Sequence, residues 1–193
     1  MSRIIIASTA LVFALAPLSA QEQRVTIDLR LAAGFPSADL ADAVLDAGFG
    51  FGTTIAWRAH EHMHLYAGWD WLRFTAEQSF AGADLDFEET GYTVGLRFEH
   101  PWRDASRLRY RLEAGGTYKH IEVEDADGDL VVDSKHGLGY ELGAGLLVPI
   151  GRGWRVSPTL RWRVLSREFE IGNVTTSGDL RYVGLELGLS RRF

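Results

Sequence analysis

From Arg24 onward the chain alternates apolar and polar residues with a period of two. Val25, Ile27, Leu29, Leu31 and Ala33 fall on one face and Thr26, Asp28, Arg30, Ala32 and Gly34 on the other, the pattern of a β-strand with two unlike surfaces. After a connection at 36–44 the pattern returns from about 45 to 58. There Ala47, Phe49, Phe51, Thr53, Ile55 and Trp57 oppose a glycine-rich row, and a short turn follows at 59–62. A third strand carries Leu65, Ala67, Trp69 and Trp71 against Tyr66, Gly68, Asp70 and Leu72. A longer polar segment separates it from a fourth, with Tyr92, Val94, Leu96 and Phe98 against Thr93, Gly95, Arg97 and Glu99.

A turn at 100–107 leads to a fifth strand, with Leu108, Tyr110, Leu112, Ala114 and Tyr118 against Arg109, Arg111, Glu113, Thr117 and Lys119. An acidic loop at 124–133 precedes a sixth, with Leu138, Tyr140, Leu142, Ala144, Leu146 and Val148 against Glu141 and glycines. Beyond a tight turn at 151–153, a seventh sets Trp154, Val156, Leu160, Trp162 and Val164 against Arg155, Ser157, Arg161 and Arg163. One more loop, 167–179, leads to a closing strand at 181–193. The pattern predicts an all-β chain of eight antiparallel up-and-down strands, each long enough for a tilted crossing of a bilayer. Pro158 lies inside the seventh and removes a ladder donor, so a bulge is expected there.

A soluble barrel has the same period with its apolar face buried, so the polar face must decide the orientation. That face is dense in glycine and in arginine matched by aspartate or glutamate, and lysine occurs only at Lys119 and Lys135. Arginine suits charges held in fixed pairs in a confined space, and an eight-stranded barrel is just wide enough for side chains to fill it. The polar face is therefore expected to line a plugged lumen. Asp28, Arg30, Asp70, Arg97, Glu99, Arg109, Arg111, Glu113, Glu141, Arg161, Arg163 and Glu186 would close it with ion pairs, leaving no large pore. The alternative is a soluble periplasmic barrel that binds an apolar ligand, which requires Arg30 and Arg111 to face outward.

Connections after the second, fourth and sixth strands read as short, those after the first, third, fifth and seventh as longer and acidic. Small membrane barrels pair short periplasmic turns with long outside loops in this way. Under that orientation Trp57, Phe98, Trp102, Tyr110, Trp154 and Phe193 form a periplasmic girdle, and Phe35, Trp71, Phe74 and Tyr118 an outer one.

The first twenty residues change the picture further. Arg3, an apolar run at 4–16 and Ser19-Ala20 read as a secretory signal, giving a signal peptide at 1–20 and a barrel at 21–193. Cysteine is absent, so no disulfide staples the fold. A formal net charge of -6 argues against a nucleic-acid partner. No cofactor motif is present.

The closing strand, Arg181 to Phe193, ends on phenylalanine and resembles the C-terminal signal read by the bacterial barrel assembly machinery, with Arg191 where that signal usually has an apolar residue. The whole span from 21 resembles the small eight-stranded outer-membrane proteins of the OmpA and OmpX type. The resemblance implies an outer-membrane location after export, contact with outer-membrane lipid and lipopolysaccharide, a structural or surface-interaction role, and a possible ligand at the outside loops.

Two constellations carry candidate chemistry. His60, His62 and His64 would share a face if extended and could ligate zinc or copper, but they fall at an expected turn, where that face is lost. His120, Glu122, Ser134 and His136 continue the lipid-facing rows at the outer rim, and a hairpin centred near Asp129 would set Glu122 opposite His136. Serine, histidine and a carboxylate are what acyl transfer needs. The group resembles the outward-facing site of lipid A deacylase barrels, with Ser134-Lys135-His136 in the reverse order and without that family's His-x-Ser-Asn run. Polar residues are ordinary at a barrel rim, and the non-enzymatic reading is the leading one. The loop Asp125-Ala126-Asp127-Gly128-Asp129 begins like a calcium loop, yet Leu130 and His136 stand where an EF-hand needs glycine and glutamate.

Overall fold

The computed structural model describes residues 24–103 and 106–193; the expected signal at 1–20 lies outside the described residues. Among the described residues nine strands form: β1 (Val25–Pro36), β2 (Gly48–Arg58), β3 (Met63–Ser79), β4 (Gly82–Pro101), β5 (Arg109–Glu124), β6 (Leu130–Asp133), β7 (Gly137–Gly151), β8 (Trp154–Ile171) and β9 (Val174–Arg192). Eight of them make a closed antiparallel ring in which β4 pairs with β5 and β9 with β1, while short β6 pairs only with β5. The ring leaves its wall no free edge at the seam. Val25 and Phe193 exchange both of their backbone hydrogen bonds, at 3.1 and 2.7 Å.

The apolar rows point outward. Leu31 is 68% exposed and Leu138 78%, whereas Arg97 and Arg161 are at most 1% exposed. Arg30 and Arg111 also face inward, so the soluble alternative with an apolar interior is not the observed arrangement across this span. Exposed rows this apolar and continuous mark a lipid-facing belt. Trp57, Trp102 and Trp154 lie at its short-turn end, and Phe35, Trp71 and Tyr118 at the other. At the short-turn end Arg191 stacks between Trp154 and Phe193, 5.4 and 5.2 Å from the ring centres, which seats a cation at the membrane interface.

Three expectations need correcting. The polar stretch after the third strand and the loop at 167–179 are mostly strand: β3 and β4 continue to a two-residue turn at Phe80-Ala81, and β8 and β9 to one at Gly172-Asn173. Phe74 is fully buried inside and belongs to no girdle. Pro158 produces no bulge. Its register with Leu187 on β9 is unbroken, and on the β7 side the pairing resumes at Val148↔Val156 without a shift; the irregularity lies at Pro149/Gly151.

Both errors of loop and girdle have one cause. Up to Trp71 the apolar residues of β3 point out; from Leu72 they point in, as Leu72, Phe74 and Ala76, while Arg73 and Thr75 face water. On β4 Leu85 and Phe87 are buried and Tyr92 and Val94 exposed, and on β5 Ile121 and Val123 are buried and Leu112 and Tyr118 exposed. The wall thus inverts where it leaves the lipid, and the outer extension packs an apolar core as a soluble sheet does. The connection between β1 and β2 folds into the mouth of that core. Leu40 and Ala43 exchange backbone bonds of 3.0 and 2.9 Å and are completely buried.

Candidate functional site

Below the apolar core, the lumen is filled by a chain of ion pairs contributed by strands from all around the ring. At the short-turn end Glu99 meets Arg192 at 3.6 Å, Arg155 at 3.3 Å and Arg111 at 3.4 Å. Arg111 passes to Asp28 at 3.2 Å, Asp28 to Arg97 at 2.7 Å, and Arg97 to Glu113 at 2.6 Å. Arg161 then joins Glu113 at 2.6 Å, Glu186 at 2.8 Å and Glu141. Above it Arg163 holds Glu141 at 2.6 Å, Glu89 at 2.9 Å and Asp70 at 3.1 Å, with Lys119 and Arg30 completing the shell around Asp70.

Every carboxylate of this chain touches at least two bases, which is how buried charges survive desolvation. Interior glycines give the groups room: a Cβ on Gly52 would collide with the Asp70 side chain, and one on Gly115 with the Tyr66 hydroxyl. Tyr66 donates to Glu141 at 3.1 Å. The void between Arg30, Asp70, Arg163 and Glu186 measures about 20 Å³, room for about one water. Tyr182 joins the two halves, its hydroxyl on Arg163 and its ring 5.2 Å from Phe74.

The three histidines 60, 62 and 64 do not gather. His60 is exposed at the turn, the His62 ring lies 4.7 Å from that of His100, and His64 points into the lumen.

At the outer rim the constellation divides. His120 and His136 stack face to face with centroids 4.3 Å apart and Tyr118 beside them. Ser134 points the other way: it is buried, its hydroxyl accepts from Ile121 N at 2.8 Å and donates to Lys135 O at 3.1 Å. Glu122 pairs with Asp133, not with His136. Ser134 is turned inward by one residue of register, since the β7 pairing continued without a slip would set it opposite Glu122. Lys119 pairs with Gly137 on β7, but three places further along β5 the partner is Asp133, so the segment between carries one residue too many. Lys135 takes a φ of 59° there, its N–H donating to Asp133 Oδ1 at 2.8 Å. A slip of one exchanges the faces of β6.

Asp133 thereby takes the outward position, with Oδ1 3.1 Å from His120 Nδ1, and Glu122 Oε1 is 3.8 Å from the same nitrogen. Asp133 could not be singled out from spacing, because the slip is set by the turn and not by the alternation. Glu88 stands across from Glu122 on the other side and accepts from Trp71 Nε1 at 2.8 Å. Partial desolvation and the Glu88 and Glu122 carboxylates raise the Glu124 carboxyl above its ordinary value. On the β8–β9 hairpin, hydrogen bonds from Ser166 and Arg181 lower that of Asp179. An open polar hollow of about 850 Å³ lies nearby, bounded by Asp39, Lys135, Arg167, Glu170, Asp179 and Arg181.

No family model matches the chain, and no curated protein matches it. Solved structures do. Neisserial surface protein A aligns with a TM-score of 0.59 at 17% identity, over 88% of this chain and 96% of that one. The outer membrane protein OprG from Pseudomonas aeruginosa gives 0.62 at 12%, over 88% and 96%. Ail, the attachment invasion locus protein of Yersinia pestis, in complex with the heparin analogue sucrose octasulfate, gives 0.50 at 14%, over 88% and 97%. The chain therefore has the fold of the small outer-membrane β-barrels, on a wall whose exposed belt is built for lipid.

Proposed function

We propose that the protein is a sealed outer-membrane barrel that carries out no solute flux and serves the envelope as a structural and surface-display element. The observation that carries this is the lumen, filled with paired charges along the membrane and with an apolar plug above it. An export signal at 1–20 and recognition of the strand ending in Phe193 by the barrel assembly machinery belong to the same reading. The turned-away hydroxyl of Ser134 favours a non-enzymatic role over an acyl hydrolase, and Ser134→Ala is expected to leave lipid A modification unchanged.

The outer end also bears on what it meets. Ail was solved with a polyanion, whereas the rim of this chain displays Asp39, Glu88, Glu122, Glu124, Asp133 and Glu168. A sulfated polysaccharide would be repelled, and a surface partner of this barrel is cationic. Purified protein in planar bilayers tests the sealed lumen: no steps on the nanosiemens scale are expected, and a steady open channel would end the reading.

A further inference from the structure

Outside the lumen, Glu88, Glu122 and Asp133 stand directly opposite one another across β4, β5 and β6 on the outward face. Like charges in facing cross-strand positions destabilise a sheet unless a cation lies between them. The nearby bases leave Glu122 and Asp133 to themselves: Arg73 pairs with Asp86 and with Glu88 at 3.9 Å, and Lys135 reaches Glu170 at 3.5 Å. What faces Glu122 and Asp133 is an imidazole.

We propose that His120 Nδ1, Glu122 and Asp133 form a binding site for a first-row divalent metal, with Zn²⁺ the best fit, at the outer rim of the barrel. The donors are already spaced for it. Three ligands about 2 Å from a tetrahedral zinc lie about 3.3 Å from one another. Here the His120 nitrogen is 3.1 Å from the Asp133 oxygen and 3.8 Å from that of Glu122, and all three donors lie within 4.8 Å. Small side-chain rotations bring them onto one ion.

The surroundings hold the donors as outer-shell groups of metal sites do. The Lys135 N–H fixes the Asp133 carboxylate at 2.8 Å, and the stacked His136 ring fixes the plane of His120. All three donors sit on paired strands. An imidazole in the set favours zinc, copper or nickel over magnesium or calcium, and three protein ligands leave a coordination position open to the outside. One dication balances the two carboxylates that otherwise repel.

The test is calorimetric titration of the refolded full chain in lipopolysaccharide-free detergent with Zn²⁺ alone. Binding of one ion per barrel is expected, weakened about tenfold to a hundredfold or more in both His120→Gln and Asp133→Asn. These residues are on the outer surface, and a heat-dependent gel shift reports that each variant remains a closed barrel. His62→Gln is expected to bind as the wild type does. Absence of stoichiometric binding, or binding indifferent to His120→Gln and Asp133→Asn, would overturn the site. So would equal occupancy by Mg²⁺, which would reduce the group to a plain anionic patch.

Discussion

Within one continuous lumen, the part below Tyr182 is packed with guanidinium and carboxylate groups and the part above it with Phe74, Phe87, Ile121, Leu165 and Phe169. The same strands build both, so propensity does not separate them. What differs is the medium on the other side of the wall. Against lipid, side chains that point out must be apolar, and the chain's polar residues are left to satisfy one another inside. Against water the assignment reverses, and the interior regains an ordinary hydrophobic core. The two interiors therefore fail differently when damaged: one by stranding charge, the other by opening a cavity.

The largest effect is expected at Arg161, whose removal takes one base from each of Glu113, Glu141 and Glu186 at once and leaves Glu141 to Arg163 and Glu186 to Arg30. Arg161→Met should cost about 3–5 kcal/mol, at the upper end of that range, read as a lowered urea midpoint for loss of the unheated gel form. Phe87→Ala in the upper core should cost about 3–5 kcal/mol as well, but locally. Amides of Ile121 and Val123 should exchange faster with deuterium while those of Leu112 and Ala114 stay protected; uniform loss of protection would erase the distinction between the halves.

The boundary itself can be located by placing one cation on either side of it. Val94→Arg, on the lipid-facing row, should cost about 2–4 kcal/mol, whereas Thr75→Arg, outward on the extension, should be nearly neutral by the same midpoint measurement. The smallest effect is at Asp179. Its carboxyl is held low in the folded state, so its contribution is present above the ordinary aspartate range and lost as pH falls through the lowered value. Asp179→Asn should cost less than about 1 kcal/mol at neutral pH and remove that pH dependence from exchange in the β8–β9 hairpin.

This inversion also explains which parts of the molecule were legible in the sequence. Alternation located every wall strand, because a period of two survives any register, and the glycine and paired charges of the polar face gave the inward direction of Arg97 and Arg161. It did not reveal the outer extensions. At Trp71-Leu72 two apolar residues are adjacent and the phase changes, which looks like the end of a strand although the backbone runs on. The rim was half legible: His120 and Glu122 lie on β5 in phase with Tyr118, whereas Asp133 and Ser134 trade faces through a turn whose geometry depends on Lys135 adopting a left-handed φ.

The lumen chain also bears on when the barrel can come into being. Its partners are far apart along the polypeptide: Arg111 and Asp28 are separated by 83 positions, Arg163 and Asp70 by 93, and Arg155 and Thr26 by 129. Asp28, made early, has no counter-charge until Arg97 and Arg111 of later strands arrive beside it. Such contacts are slow to form; adjacent strands supply some pairs, as Arg97–Glu113 and Arg161–Glu141, but Asp28 and Asp70 also need bases from distant strands. The charged rows are therefore fully matched only once distant strands stand side by side, so that closure of the ring and neutralisation of the interior coincide.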